Sequence, residues 1–147
     1  MRQKNKILLK FDSSVRIDET MNLKLRMPNS LGYVQDAKVL FNRKGEKTGG
    51  EKVETLTYMK TESDTRFSVF GSQIAFDSPG YRTFCIHLKL NNAFCELRYD
   101  AETGEVTIND QTQNFWEMFV YYPNFITPKE IKGGIMYQIY IDTFCSK

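Results

Sequence analysis

The side chains able to do chemistry are few and scattered: one histidine and three cysteines in 147 residues. His87 and Cys85 fall on the same parity as Thr83 and Lys89 and so share one face of an alternating strand. A Cys–His nucleophile needs a base that reaches the thiol and a third group that orients the base. Neighbouring sequence offers no such group, so His87 reads as a plain surface residue. No HxxxH, CxxC or carboxylate cluster has metal-ligand spacing. There is no GxSxG elbow, and no glycine-rich loop leads from a strand into a helix. The carboxylates lie in turns, and no two stand out as paired acids flanking a cleft. The expected sets of catalytic, metal-binding and cofactor-binding residues are therefore all empty.

Aromatic residues give a different signal. There are eleven Phe and eight Tyr, most of them in short alternating runs, which leans towards β-structure. Near the end of the body, Trp116, Met118, Val120 and Tyr122 form an inward face. Phe115, Glu117, Phe119 and Tyr121 form the outward one. Three aromatics on a nominally wet face suggest the covered side of an interface of about 600–1,500 Å².

The elements that position these groups are read from period-two patterns. Residues 6–11 form a first, edge-type strand. Met21, Leu23, Leu25 and Met27 alternate strictly with polar residues, and Ala37, Val39 and Phe41 do so less cleanly. Residues 42–50 make a charged, glycine-rich turn. Residues 53–59 are strand-like without a decided face. Phe67 and Val69, then Ile74 and Phe76, read as two half-strands with a bend or bulge at Gly71.

Phe84, Ile86, Leu88 and Leu90 then run into Asn91-Asn92, a pair that tolerates the positive φ of a two-residue hairpin turn. Folding there sets Leu90 against Ala93, Leu88 against Cys95, Ile86 against Leu97 and Phe84 against Tyr99. Cys95 then faces the core, and Cys85 lies on the outer face opposite Arg98. The two project from opposite faces and should not be bridged. Gly104 marks a second turn with a left-handed or bulge position.

Composition places the chain in the ordinary globular class, with 41% hydrophobic and 26% charged residues. A net charge of +2 gives no case for nucleic acid. The basic start, residues 1–6, is followed by only three apolar residues before Lys10 and Asp12. No signal peptide or membrane span is expected. Three cysteines do not make a disulfide framework, and reduced thiols in the cytoplasm are the expected state.

The last stretch departs from this pattern. Thr127 and Glu130 form a capping box with Pro128 at the first helical position. Residues 135–141 are apolar on both faces, as in a strand at the middle of a parallel sheet or barrel. The segments Trp116…Val120-Tyr121…Phe125-Ile126-Thr127-Pro128, Gly133-Gly134-Ile135-Met136-Tyr137-Gln138-Ile139-Tyr140 and Asp142-Thr143-Phe144 together resemble a junction in α-amylase-family glycoside hydrolases of the neopullulanase and cyclomaltodextrinase type. In that family a β-sandwich module ends in such a strand, and the catalytic barrel opens with a Tyr-Gln-Ile-Phe strand. Tyr137, Gln138 and Asp142 match this barrel-strand motif, while Thr143 stands where the family usually carries Arg.

About seven to nine strands with turn signals at short intervals and no amphipathic helix read as an all-β, immunoglobulin-like antiparallel β-sandwich over residues 1–122. The resemblance adds a linker over 123–134 and a truncated barrel start over 135–147. It implies a parent enzyme acting on α-glucan by a retaining mechanism, whose catalytic acids and calcium-binding stretch lie beyond Lys147. The module would pack on the catalytic barrel of the same polypeptide, or on a second copy in a homodimer, through Phe115, Phe119 and Tyr121. Alternatively it would bind starch or maltooligosaccharide itself, stacking sugar rings on Tyr33, Tyr58 or Tyr81.

Overall fold

The computed structural model describes residues 6–43 and 50–123, and these form an all-β structure of eleven strands. The expectations for residues 124–134 and for the barrel-type strand, with Tyr137, Gln138 and Asp142, lie outside the described residues. So does most of the glycine-rich turn.

Four strands make the smaller sheet, in the order β1 (Leu8–Phe11), β3 (Met21–Pro28), β7 (Phe67–Ile74) and β6 (Thr57–Tyr58). β1 is an edge strand, as its short, half-apolar sequence suggested. The larger sheet is built around β8 (Gly80–Leu90). On one side β8 pairs with β4 (Val34–Asn42), which pairs in turn with β5 (Lys52–Thr55). On its other side β8 has two partners in succession. β9 (Ala93–Tyr99) covers Ile86 to Leu90, and β11 (Trp116–Tyr121) covers Gly80 to Phe84. β10 (Val106–Ile108) lies beyond β9, and β2 (Ser14–Arg16) lies beyond β11. The β2–β11 pair is parallel, so the sheet is mixed rather than antiparallel throughout.

Alternation produces the core as expected. Met21, Leu23, Leu25 and Met27 are buried on β3, Ala37, Val39 and Phe41 on β4, and Trp116, Met118 and Val120 on β11. Side chains from both sheets join one apolar cluster. Phe11 of the smaller sheet meets Phe84 of the larger edge-on at 5.0 Å. Trp116 stacks between Phe84 at 5.7 Å and Tyr99 at 5.8 Å.

That stack explains one correction. Phe84 does not pair with Tyr99; it pairs with Trp116, because β11 replaces β9 alongside β8 at that point. Tyr122 is also not inward. It lies past the end of β11 and is exposed.

Two further readings change. Gly71 makes no bulge: β7 is continuous, and Gly71 pairs with both Lys24 and Thr57. A Cβ there would sit 2.6 Å from Met59 Sδ and 3.2 Å from the Leu23 carbonyl oxygen, so it is close approach, not bending, that glycine relieves here. The undecided stretch at residues 53–59 has no single face because it serves both sheets. β5 belongs to the larger and β6 to the smaller, and buried Leu56 marks the crossing, its N–H donating to the Ala37 carbonyl at 2.8 Å.

One ion pair sits against the core. Arg82 is 1% exposed, with its Nε 2.9 Å from both carboxylate oxygens of Glu51 and its Nη2 donating to the Ser78 carbonyl at 2.7 Å. Burial alone would raise the Glu51 pKa. The hydrogen bond and charge of Arg82, joined by Arg43, outweigh it and hold the carboxyl below its usual range. A carboxylate lowered in the folded state stabilises fully above its unfolded pKa, about 4.3, and the contribution is lost as pH falls through the folded value. Glu51→Ala leaves a buried guanidinium without its counter-charge and should cost about 3 kcal/mol at neutral pH. Arg82→Met should cost less, because the charge it leaves behind, Glu51, is less buried than Arg82 and keeps Arg43 at 3.3 Å as a partner. Urea denaturation at pH 7 and pH 3 checks both, and the Glu51→Ala deficit should shrink at the lower pH.

Candidate functional site

The outer face of the larger sheet gathers most of the groups singled out above. On β11, Phe119 is 53% and Tyr121 44% exposed, as the strand's alternation required. Phe119 pairs directly with Tyr81 of β8, and the two rings lie 5.6 Å apart. The Tyr81 hydroxyl is pushed up to about 12, first by burial and then by the adjacent Glu117 carboxylate. It is therefore a neutral phenol at all ordinary pH, able to donate a hydrogen bond. Phe115 is half-buried rather than displayed. The Arg98 guanidinium covers its ring at 4.3 Å, so of the three aromatics expected on this face only Phe119 and Tyr121 are open to a partner.

The three tyrosines considered for sugar stacking do not form one platform. Tyr81 belongs to this outer face. Tyr33, 73% exposed, precedes β4 at the opposite end of the larger sheet, its N–H donating to Asn91 Oδ1 at 2.9 Å. It lines a shallow groove of about 320 Å³ with Asn29, Gly32, Val34, Ser68 and Phe70. Tyr58, on edge strand β6, packs against Phe70 at 5.7 Å. Tyr33 and Tyr58 thus flank one buried phenylalanine, and Tyr81 stands apart from both.

The hairpin register assembles a polar cluster that the residue types alone did not disclose. Asn91 and Asn92 adopt φ of 50° and 65°, and the pairs Ile86–Leu97, Leu88–Cys95 and Leu90–Ala93 form as expected. The same register sets His87 directly opposite Glu96. The His87 ring Nε2 lies 2.9 Å from Glu96 Oε1, and Cys85 Sγ lies 3.7 Å from the same oxygen. Arg98 Nε donates to Glu96 Oε2 at 2.8 Å, and Arg98 Nη1 donates to the Gln111 carbonyl at 2.8 Å. His87 is therefore not a plain surface residue but a half-exposed member of a network. The signal was available in the sequence, because any register that pairs Leu88 with Cys95 also pairs His87 with Glu96.

The cluster lacks the character of a nucleophilic site. Cys85 lies on the outer face as its parity required, yet it is fully buried. Its thiol is pushed up to about 12, by burial first and by the Glu96 carboxylate next, with Arg98 opposing weakly. An activated cysteine shows the reverse shift. Glu96 itself is held low: burial raises it, but the His87 hydrogen bond and the Arg98 charge prevail. Cys95 is partly exposed on the core side, and both cysteines are free.

No model of a known protein family matches the chain. It is similar to part of an amylopullulanase. That protein, from Thermoanaerobacterium thermosulfurigenes, is 26% identical over 134 residues, a stretch that takes in 89% of the chain. The chain spans only about 7% of the length of that relative. The likeness is thus a partial one to a carbohydrate-active enzyme. Among the described residues, no helix is long and apolar enough to cross a membrane.

At pH 8 a thiol with a pKa of about 12 is ionised in only about one molecule in ten thousand. Native alkylation with iodoacetamide, mapped by peptide mass, should therefore modify Cys95 well before Cys85. Equal rates at the two sites would contradict the burial described here.

Proposed function

We propose that this chain is a non-catalytic accessory module of an α-glucan-acting glycoside hydrolase of the α-amylase family. It is an immunoglobulin-like β-sandwich that packs on the catalytic barrel of the same polypeptide. The observation that carries the reading is the likeness of nearly the whole chain to a small part of an amylopullulanase. The terminal motif from Trp116 to Phe144 supports it, since it resembles the entry into such a barrel. Retaining hydrolysis belongs to the parent enzyme, whose catalytic acids would lie beyond Lys147. The described residues supply no activated nucleophile: the one buried thiol is suppressed, and its neighbouring carboxylate is committed to Arg98 and His87.

The docking surface is the Tyr81–Phe119–Tyr121 patch, at the end of the sheet from which the chain runs on past β11. Buried aromatic anchors dominate interface energetics, and truncating one commonly costs 2 kcal/mol or more. With the barrel encoded by the same reading frame produced separately, Phe119→Ala in this chain should weaken association by about tenfold or more. Unchanged association would overturn the assignment of the face. Mutual association of two copies of this chain, lost in the same variant, would instead identify it as a homodimer surface.

A second reading, starch or maltooligosaccharide binding by the module itself, is favoured by one feature. Tyr33 is an open ring beside a shallow groove with the polar side chains Asn29 and Ser68. Native gels containing soluble starch should retard the chain if this reading holds, and Tyr33→Ala should abolish the retardation. Equal mobility with and without starch would remove it.

A further inference from the structure

The cluster on the outer face of the β8–β9 hairpin combines three donors that differ in kind. Cys85 Sγ, a His87 ring nitrogen and a Glu96 carboxylate oxygen all lie within 4.8 Å of one another, the one such trio among the described residues. We propose that they form a binding site for a single divalent transition-metal ion of the zinc class, with solvent in the fourth position.

Geometry supports the assignment. Zinc bonds of about 2.3 Å to sulfur and about 2.0 Å to nitrogen and oxygen, at tetrahedral angles, place the donor atoms roughly 3.3–3.6 Å apart. Cys85 Sγ and Glu96 Oε1 are already 3.7 Å apart, and His87 Nε2 and Glu96 Oε1 are 2.9 Å apart. An ion enters by replacing the His87–Glu96 contact. The sulfur and the ring nitrogen, within 4.8 Å of each other, close by up to about an ångström as it binds. Two strands held in fixed register supply the ligands: Cys85 and His87 two residues apart on β8, and Glu96 across from them on β9.

The surroundings act as an orienting shell. The second Glu96 oxygen is held by Arg98, which the Gln111 and Gln113 carbonyls and the Phe115 ring fix in turn. The Glu96 backbone N–H donates to Asn109 Oδ1 at 2.8 Å. Such partners orient first ligands in metal sites and leave one carboxylate oxygen directed at the ion. Cys85 forms a closed floor, while half-exposed His87 leaves a side open to solvent. The sulfur, imidazole and carboxylate set suits zinc or its cobalt(II) surrogate rather than calcium or magnesium, which take oxygen ligands. On binding, the Cys85 thiol gives its proton to solvent as the sulfur–metal bond forms. Two cations, Arg98 and Lys38 (paired with His87 from β4), face the site and limit its affinity.

The test is a cobalt(II) titration of the 147-residue chain after chelator treatment, read by absorption. The expected result is one cobalt per chain, with a near-ultraviolet thiolate-to-cobalt charge-transfer band that zinc displaces. His87→Gln alters a half-exposed position and should keep the far-ultraviolet circular dichroism. It should bind at least about tenfold more weakly. The double variant Cys95→Ser/Cys145→Ser should keep the band, which the proposal assigns to the Cys85 thiolate alone. Absence of the band overturns the proposal. So does full affinity in His87→Gln, which would leave a plain His–Glu ion pair, or loss of the band in the double variant.

Discussion

The left-handed pair Asn91–Asn92 is the constraint on which the rest of the larger sheet depends. A two-residue turn fixes which residues of β8 and β9 face each other, and a slip of one residue would exchange the two faces. With the observed register, Ile86, Leu88 and Leu97 all enter the core, while Cys85, His87, Glu96 and Arg98 gather on the outer side. The turn is further tied to the neighbouring connection. Asn91 Oδ1 accepts from the Tyr33 N–H, and the Asn92 N–H donates to Gln35 Oε1 at 2.6 Å. One local backbone preference thereby sets both the packing and the polar chemistry of the molecule.

The length of β8 follows from the same arrangement. At eleven residues it outruns β9, and the exposed half of its edge is completed by β11. Trp116 marks the exchange of partners, filling the space between Phe84 and Tyr99 that would otherwise open where β9 turns away. The outer face is accordingly divided in two. A polar network lies over the β9 half, and the Tyr81–Phe119–Tyr121 patch lies over the β11 half.

What could be read in the sequence was the local part. Strict alternation at Met21, Leu23, Leu25 and Met27 located a strand and its buried face, and the Asn-Asn pair located a hairpin and its register. Features that depend on strands far apart in the chain were not legible. Nothing near Gly71 announces the Met59 sulfur and the Leu23 carbonyl that crowd it. Nothing near Phe84 says that Trp116, not Tyr99, will lie opposite. The parallel pairing of Val15 with Val120 likewise leaves no local trace. The polar cluster falls between these cases, because its residues are two apart or cross-strand neighbours in a register already deduced. Its residues show no motif spacing along the chain, because strands place ligands across from one another.

The parallel β2–β11 pair has a mechanical meaning. Ser14, Val15 and Arg16 run beside Phe119, Val120 and Tyr121, and the hydrogen bonds continue at both ends, from the Phe119 N–H to Ser13 and from the Ile17 N–H to Tyr121. Tension applied through the two chain directions would draw these strands past each other along their length. The bonds between them would then be loaded together in shear, rather than opened one at a time as in the peeling of an antiparallel hairpin. On the N-terminal side β1 lies between the direction of pull and this clamp, so the β1–β3 pairing and the β2–β11 clamp are loaded in series.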